Sequence, residues 1–343
     1  MDGFQWNQII SRFPHIAEGI FEGLDDQSLT SCRLVEKSWK NVIDGRNYPW
    51  ERIVKRRNLE QKWEYGNTYL HLASKYGHPE MFEKIFKEEF SKNPGNSSGM
   101  TPFHFACEKG HFRIAEFIMK SCIENFFLYL VLNAKDFSGK TGYHYACNSG
   151  NINIVELLIK NSVEFKMDLN AKNQYDGKTG FHYACEKYQK VKLVELLIKN
   201  SVKYNIDLNA KDGDGRTGFH LACQRSYVRM VELLIKNSVE CNIDLNAKDK
   251  YGKTGYHLAC QNSQVRIVES LIENSVEFNI DLNAKVNGKT GYDFSSGQVK
   301  KLIFDNSAQF NIDLNNYVDP NLAHNPFHNF KFQVVPVDKT KIL

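Results

Sequence analysis

The chain repeats itself, and that limits its fold more than any other feature. Residues 141–147 read TGYHYAC, 179–185 TGFHYAC, 217–223 TGFHLAC and 254–260 TGYHLAC. Upstream, 101–107 read TPFHFAC and 68–73 read TYLHLA; downstream, 290–294 read TGYDF, with Asp293 where the others carry histidine. His71, His104, His144, His182, His220, His257 and Asp293 are spaced by 33, 40, 38, 38, 37 and 36 residues. A second block follows at fixed distance: INIVELLIKNS, VKLVELLIKNS, VRMVELLIKNS and VRIVESLIENS. Self-similarity at this period means a solenoid, in which each unit buries its apolar face only against its neighbours.

Each unit reads as two helices. The first block opens on threonine, a good N-cap whose hydroxyl accepts from a free backbone N–H. The second carries apolar residues on one helical face, as at Val231, Leu234 and Ile235. Gly252-Lys253-Thr254 looks like the tail of a phosphate loop, but that pattern needs a glycine five positions earlier. Ala134, Lys172, Ala210, Ala247 and Asn283 stand there instead. No GxSxG, HExxH or distinctive carboxylate pair is present, so no catalytic set is assigned.

The stretch Thr101-Pro102-Phe103-His104-Phe105-Ala106 closely resembles the ankyrin-repeat motif T-P-L-H-x-A, and VELLIKNS…DLNAKDxxGKTG resembles the ankyrin outer helix, loop and finger. The resemblance covers residues 66–315. It implies an all-α solenoid of about six helix–loop–helix repeats with finger loops, plus a degenerate last one. It also implies that the histidine bonds to its threonine and to finger loops. The asparagines of Leu-Asn-Ala-Lys (Asn133, Asn170, Asn209, Asn246, Asn283) match a turn position that is hydroxylated in some ankyrin proteins.

Two departures from that pattern carry expectations. The motif's proline is glycine at 142, 180, 218, 255 and 291. Glycine frees the unfolded chain, at up to about 1 kcal/mol per repeat, so softer repeats are expected. The repeats also exceed 33 residues through inserts such as NSVEFNID (274–281). Loop length costs little, about 0.6 kcal/mol per doubling. The insert is therefore expected to be a tolerated loop, with Phe165, Tyr204 and Phe278 at equivalent places.

His-x-x-Cys recurs once per unit, as in His257 and Cys260. A zinc site wants paired spacings such as CxxC with a second pair. Cysteine in place of a small alanine reads as packing, so no metal and no cofactor is expected. The Asp residues at 136, 176, 212, 214 and 249 suit finger turns.

Composition narrows the partners. Lys plus Arg number 44 against 40 Asp plus Glu, a net charge of +4 over 343 residues. That near-balance favours neither nucleic acid nor an anionic membrane. No 18-residue apolar run exists, and the opening MDGFQWNQIISRF lacks the pattern of a secretory signal. The eight cysteines are expected to be reduced thiols, in the cytoplasm or nucleus.

Residues 10–57 differ from the repeats. Ile16, Ile20 and Leu24 share one helical face with Phe21 beside them; Leu29, Cys32 and Val35 follow, then Trp39, Val42 and Ile43. The series Phe13-Pro14, Ile20-Phe21, Leu24-Asp25, Leu29, Cys32, Leu34-Val35, Trp39 and Trp50 resembles an F-box, with Phe13 for the usual leucine. The resemblance implies a three-helix unit in which Pro14, Ile16, Ile20, Phe21, Leu24, Leu34 and Trp39 dock the Skp-family adapter of cullin–RING ubiquitin ligases. The other reading is a helical cap on the first repeat. Residues 316–343 carry Pro320, Pro326 and Pro336 and no repeat, and read as a tail.

Two functions stand side by side. One is a substrate receptor of a ubiquitin ligase, a monomer within a larger complex that catalyses nothing itself. The other is a plain protein-binding scaffold. In either, positions where near-identical units disagree mark the client surface. These are Phe137, Tyr175, Asp214 and Tyr251 at finger tips, and Tyr188, Arg225 and Tyr227 beyond the inner-helix cysteine. Tyrosine and arginine give large contact area at such places.

Overall fold

The computed structural model describes residues 66–89, 95–124 and 129–314. The expected F-box-like unit at 10–57, with all its adapter-docking residues, and the tail at 316–343 lie outside them. Among the described residues the fold is all-helical, with one isolated bridge between Val286 and Lys289 and no strand.

Seven helix pairs stack in chain order. The inner helices are α1 (Tyr69–Tyr76), α3 (Pro102–Lys109), α6 (Gly142–Ser149), α8 (Gly180–Cys185), α10 (Gly218–Gln224), α12 (Gly255–Gln261) and α14 (Gly291–Phe294). The outer helices are α2 (Pro79–Glu89), α4 (Phe112–Glu124), α7 (Ile152–Asn161), α9 (Val191–Tyr204), α11 (Val228–Lys236), α13 (Val265–Glu273) and α15 (Gly297–Phe310). One extra turn, α5 (Tyr129–Leu132), accounts for the long interval between His104 and His144. Inner helices touch inner helices and outer touch outer along the stack. A single apolar core therefore runs continuously through all the units.

The inner helices are short because both ends are specified. Every first block starts at an extended threonine that forms a capping box with the residue three on. Gly77, Gly110 and Gly150 end the first three in the left-handed region. Carbonyls at the ends of the first four inner helices are then met by a side chain of the next unit. His111 reaches Lys75, Asn151 reaches Cys107, Lys190 reaches Cys147 and Tyr227 reaches Glu186, at 2.9–3.2 Å.

The glycines are not a soft substitute for proline. A Cβ on Gly218 would lie 2.5 Å from the Phe181 ring and 2.8 Å from Cys185 Sγ of the preceding unit. Gly142, Gly180, Gly255 and Gly291 meet Phe103, Tyr143, Phe219 and Tyr256 at 2.3–2.7 Å, each with a cysteine sulfur 3.1 Å away. The motif's Leu has become an aromatic ring, its small residue a cysteine, and the next unit's glycine makes room for both. The expectation of softness thus gives way to a tight aromatic–cysteine–glycine joint. Where the proline is retained, at Pro102, the preceding unit carries Leu70 in place of the ring and Ser74 in place of the cysteine.

The inserts are likewise built into the stack rather than merely tolerated. Asn205, Asn242, Asn279 and Asn311 sit in the left-handed region at φ 51–52°, which asparagine accepts. Ile206, Ile243, Ile280 and Ile312 beside them are buried. Asn170, Asn209, Asn246 and Asn283 each donate Nδ2 to one of those carbonyls in the next unit at 2.7–2.8 Å. Each also accepts at Oδ1 from the N–H two residues beyond, at 2.7–2.8 Å. Of the residues expected at equivalent places, Phe165 is buried while Tyr204 and Phe278 are partly buried on the core.

The aromatic–glycine joint makes a prediction of sign. Helix propensity alone says Gly218→Ala stabilises by about 1 kcal/mol. Overpacking against Phe181 costs about 1–3 kcal/mol, so a net loss is expected on urea unfolding. Combining it with Phe181→Leu is expected to cost clearly less than the two changes separately. A stabilising Gly218→Ala, or simple additivity, rejects the joint.

Candidate functional site

The recurrent histidines are the most chemically suggestive residues, and their geometry recurs from unit to unit, complete in five units and partial at His257. The threonine N–H donates to the histidine Nδ1 at 3.0–3.2 Å in six units. The threonine hydroxyl lies 2.8–2.9 Å from the same nitrogen. Because the amide can only donate, Nδ1 is the acceptor and the proton sits on Nε2. That Nε2–H then donates to the finger carbonyl of the next unit. His71 reaches Met100, His104 Lys140, His144 Lys178, His182 Arg216 and His220 Lys253, at 2.9–3.2 Å. His257, facing the degenerate last unit, keeps the threonine bonds, but its buried Nε2 makes no bond of ordinary geometry. Asp293 reproduces only the first half, accepting from Thr290 N–H at 2.7 Å.

Both nitrogens of each bridging ring are thus committed, leaving no lone pair for a metal or a proton relay. The neighbouring cysteines are buried, and burial pushes the thiols of Cys147 and Cys260 up to about 12, far from a reactive thiolate. Among the described residues, no three His, Cys, Asp or Glu side chains converge as a metal site. No described helix is long and apolar enough to cross a membrane.

The finger loops are ordered by their own turns. Oδ1 of Asp136, Asp212 and Asp249 accepts from the N–H groups two and four residues on, at 2.8–2.9 Å. Asn96 and Asn173 do the same work in two other fingers. Asp176 and Asp214 do not hold turns; they pair with Lys178, and with Arg216 and Lys250. Adjacent fingers are zipped by single backbone bonds: Phe137 to Ser98, Gln174 to Ser138, Gly213 to Asp176 and Lys250 to Asp214, at 2.7–3.0 Å.

The residues expected to contact a client separate into two groups. Phe137, Tyr175 and Tyr251 project from finger tips with 72%, 83% and 64% of their surface open. Asp214, on the finger between Tyr175 and Tyr251, is held in its ion pairs. Arg225 is exposed beyond α10. Tyr227 is half-buried and its hydroxyl is spent on Glu186. Tyr188 opens a 3₁₀ turn, Tyr188–Lys190, that accommodates one extra residue in that unit.

Sequence reasoning passed over two features. Lys190 is buried, donates Nζ to Cys147 and Tyr183 carbonyls at 2.9 and 2.8 Å, and is brought down to about 8 chiefly by burial. Only the extra residue in its unit hinted at it. Val163, Val202, Val239 and Val276 form a second apolar row, each more than 70% open. The constant NSV triplet was its signal.

The geometry defines a class: a helical-repeat rod whose repeated polar groups serve its own junctions and whose open aromatic groups sit at finger tips. A family model described as "Ankyrin repeats (3 copies)" matches residues 51–127, 119–212 and 200–285. The chain is an ankyrin-repeat protein. The ankyrin repeat domain of Bcl-3, a unique member of the IkappaB protein family, superposes with a TM-score of 0.56 at 23% identity, over 70% of this chain and 99% of that one. The human ASB11 ankyrin repeat domain gives 0.53 at 21% identity, over 69% and 97%. Comparison with curated protein sequences returns no match.

The buried histidines set a pH limit. Burial holds His104, His144, His182, His220 and His257 below the ordinary 6.5, His144 at about 4; the accepting carbonyls act in the opposite sense and lose. Between 6.5 and each folded value the unfolded chain binds more protons than the folded one. Stability is therefore whole above pH 6.5 and falls as the solution is acidified. Each titrating ring withdraws up to about 1.4 kcal/mol per pH unit. The urea midpoint is expected to drop steadily from about pH 7 to pH 5; a flat profile contradicts the neutral ring assignment.

Proposed function

We propose that this chain is a non-catalytic substrate receptor: the array holds a client protein and the N-terminal segment joins it to a cullin–RING ligase through a Skp-family adapter. The ankyrin fold supports the coarser part, since ankyrin repeats act typically as protein-binding scaffolds. One observation carries the placement of the client. Phe137, Tyr175 and Tyr251 are open aromatic rings on finger tips fixed by turn and interfinger bonds. Large apolar rings held open on an ordered backbone cost solvation and gain it back only when covered. Asp214 beside them and Arg225 on the inner-helix side give the same surface polar anchors, and the half-buried Tyr227 ring adds contact area. Tyr188 belongs to this set by its position in the chain.

The ligase link is a finer proposal supported by the F-box-like series from Pro14 to Trp39. The plain-scaffold reading shares the client surface and differs only in that link.

The two are separated by affinity purification of the full chain from cells. The ligase reading expects the adapter and a cullin, both lost with Leu24→Asp plus Trp39→Ala while the circular dichroism of the array is kept. A client recovered without any adapter leaves the scaffold reading alone. Phe137→Ala, Tyr175→Ala and Tyr251→Ala together are expected to cut client recovery at least about tenfold, the effect of removing hot-spot rings. Unchanged recovery moves the client elsewhere.

A further inference from the structure

The near-identity of the units makes each a control for the others. Along the outer helices, α7, α9 and α11 share the sequence VELLIK, whereas α13 reads VESLIE. Leu157, Leu196 and Leu233 correspond to Ser270, and Lys160, Lys199 and Lys236 correspond to Glu273. Both changes line one place, a groove of about 660 Å³ between α11 and α13. Serine is shorter than the leucine that packs against the core at this position in the neighbouring units. Val228, Ile235 and Phe278 supply its apolar lining.

The charge change is as specific. In α4 and α7 the same helical face carries i,i+4 ion pairs, Glu116–Lys120 at 3.0 Å and Glu156–Lys160 at 2.7 Å. In α13 the pair has become Glu269 and Glu273, like charges one turn apart, an arrangement that works against the helix. Glu232 and Glu277 join them around the groove, against only Lys236 and Arg266. Among the described residues none of these four carboxylates makes an ion pair within 4.0 Å.

We infer that this groove binds a basic segment of a partner polypeptide. Its arginines or lysines pair with the carboxylates, and an intervening apolar side chain enters the groove beside Ser270. Unpaired carboxylates beside an apolar lining complement that chemistry. They repel phosphate, which excludes nucleic acid and anionic lipid. They do not converge on a point, which excludes a bound cation. This surface lies on the outer helices, so it is separate from the finger-tip surface and does not depend on it.

The test uses the full chain and a fluorescein-labelled synthetic peptide that alternates arginine with leucine, read by anisotropy. A peptide with glutamate for arginine is the control. Saturable binding is expected for the first peptide only, weakening at least about tenfold when salt rises from roughly 0.05 to 0.5 M. Ser270→Leu with Glu273→Lys restores the sequence of the neighbouring units, so folding is safe, and is expected to weaken binding at least about tenfold. Tyr175→Ala with Tyr251→Ala is expected to leave it unchanged. Equal binding by the restored variant, equal binding of the glutamate peptide, or no saturation overturns the proposal.

Discussion

Everything in this rod depends on contact between consecutive units. A ring from one unit lies against the glycine of the next, and beside it a histidine ties its own threonine to the next finger's carbonyl. Neither half makes sense inside one repeat: an isolated unit would leave its ring in water and its histidine without its second partner. Stability must then grow by nearest-neighbour terms along the chain. Net hydrogen bonds are worth about 0.5–1.5 kcal/mol each. Their repetition along the chain, alongside the asparagine and finger bonds, is what makes a stack of four- to eight-residue inner helices stand.

The same repetition draws polar groups into the junctions. The groups that suggest chemistry on paper are histidine, cysteine, threonine and aspartate. Each is engaged: the histidines at both nitrogens in five units, the thiols by burial, Asp136, Asp212 and Asp249 by their turns. The groups left over are surface groups that differ from unit to unit. Under the proposed function, recognition falls to these exceptions while the rule builds the architecture. Phe137, Tyr175 and Tyr251 are exceptions on the fingers; Ser270 and Glu273 are exceptions on the outer helices.

The fold was legible in the sequence because the repeat states it six times over, and threonine, histidine and the VELLIKNS block fix where each helix begins and which face it buries. The meaning of Gly142, Gly180, Gly218, Gly255 and Gly291 was not legible. A glycine in place of proline looks like lost rigidity until the ring that fills the space is seen, and that ring belongs to the preceding unit, some 37 residues away in the case of Gly218 and Phe181. The inserts misled for the same reason: their asparagine carbonyls have partners only in the neighbouring unit. Exposure at the finger tips followed from position in the loop. The hydroxyl of Tyr227, by contrast, could be assigned to Glu186 only once two units were placed side by side.

Hydrogen exchange, followed by mass spectrometry on the wild-type chain and on His182→Gln, addresses the neighbour coupling most directly. His182 lies in α8 and its bridge ends on Arg216, before α10. If junctions carry the stability, exchange should quicken in peptides from both α8 and α10, with lesser effects further along the rod. Quickening confined to α8, with α10 protected as in the wild type, would show that the units stand on their own.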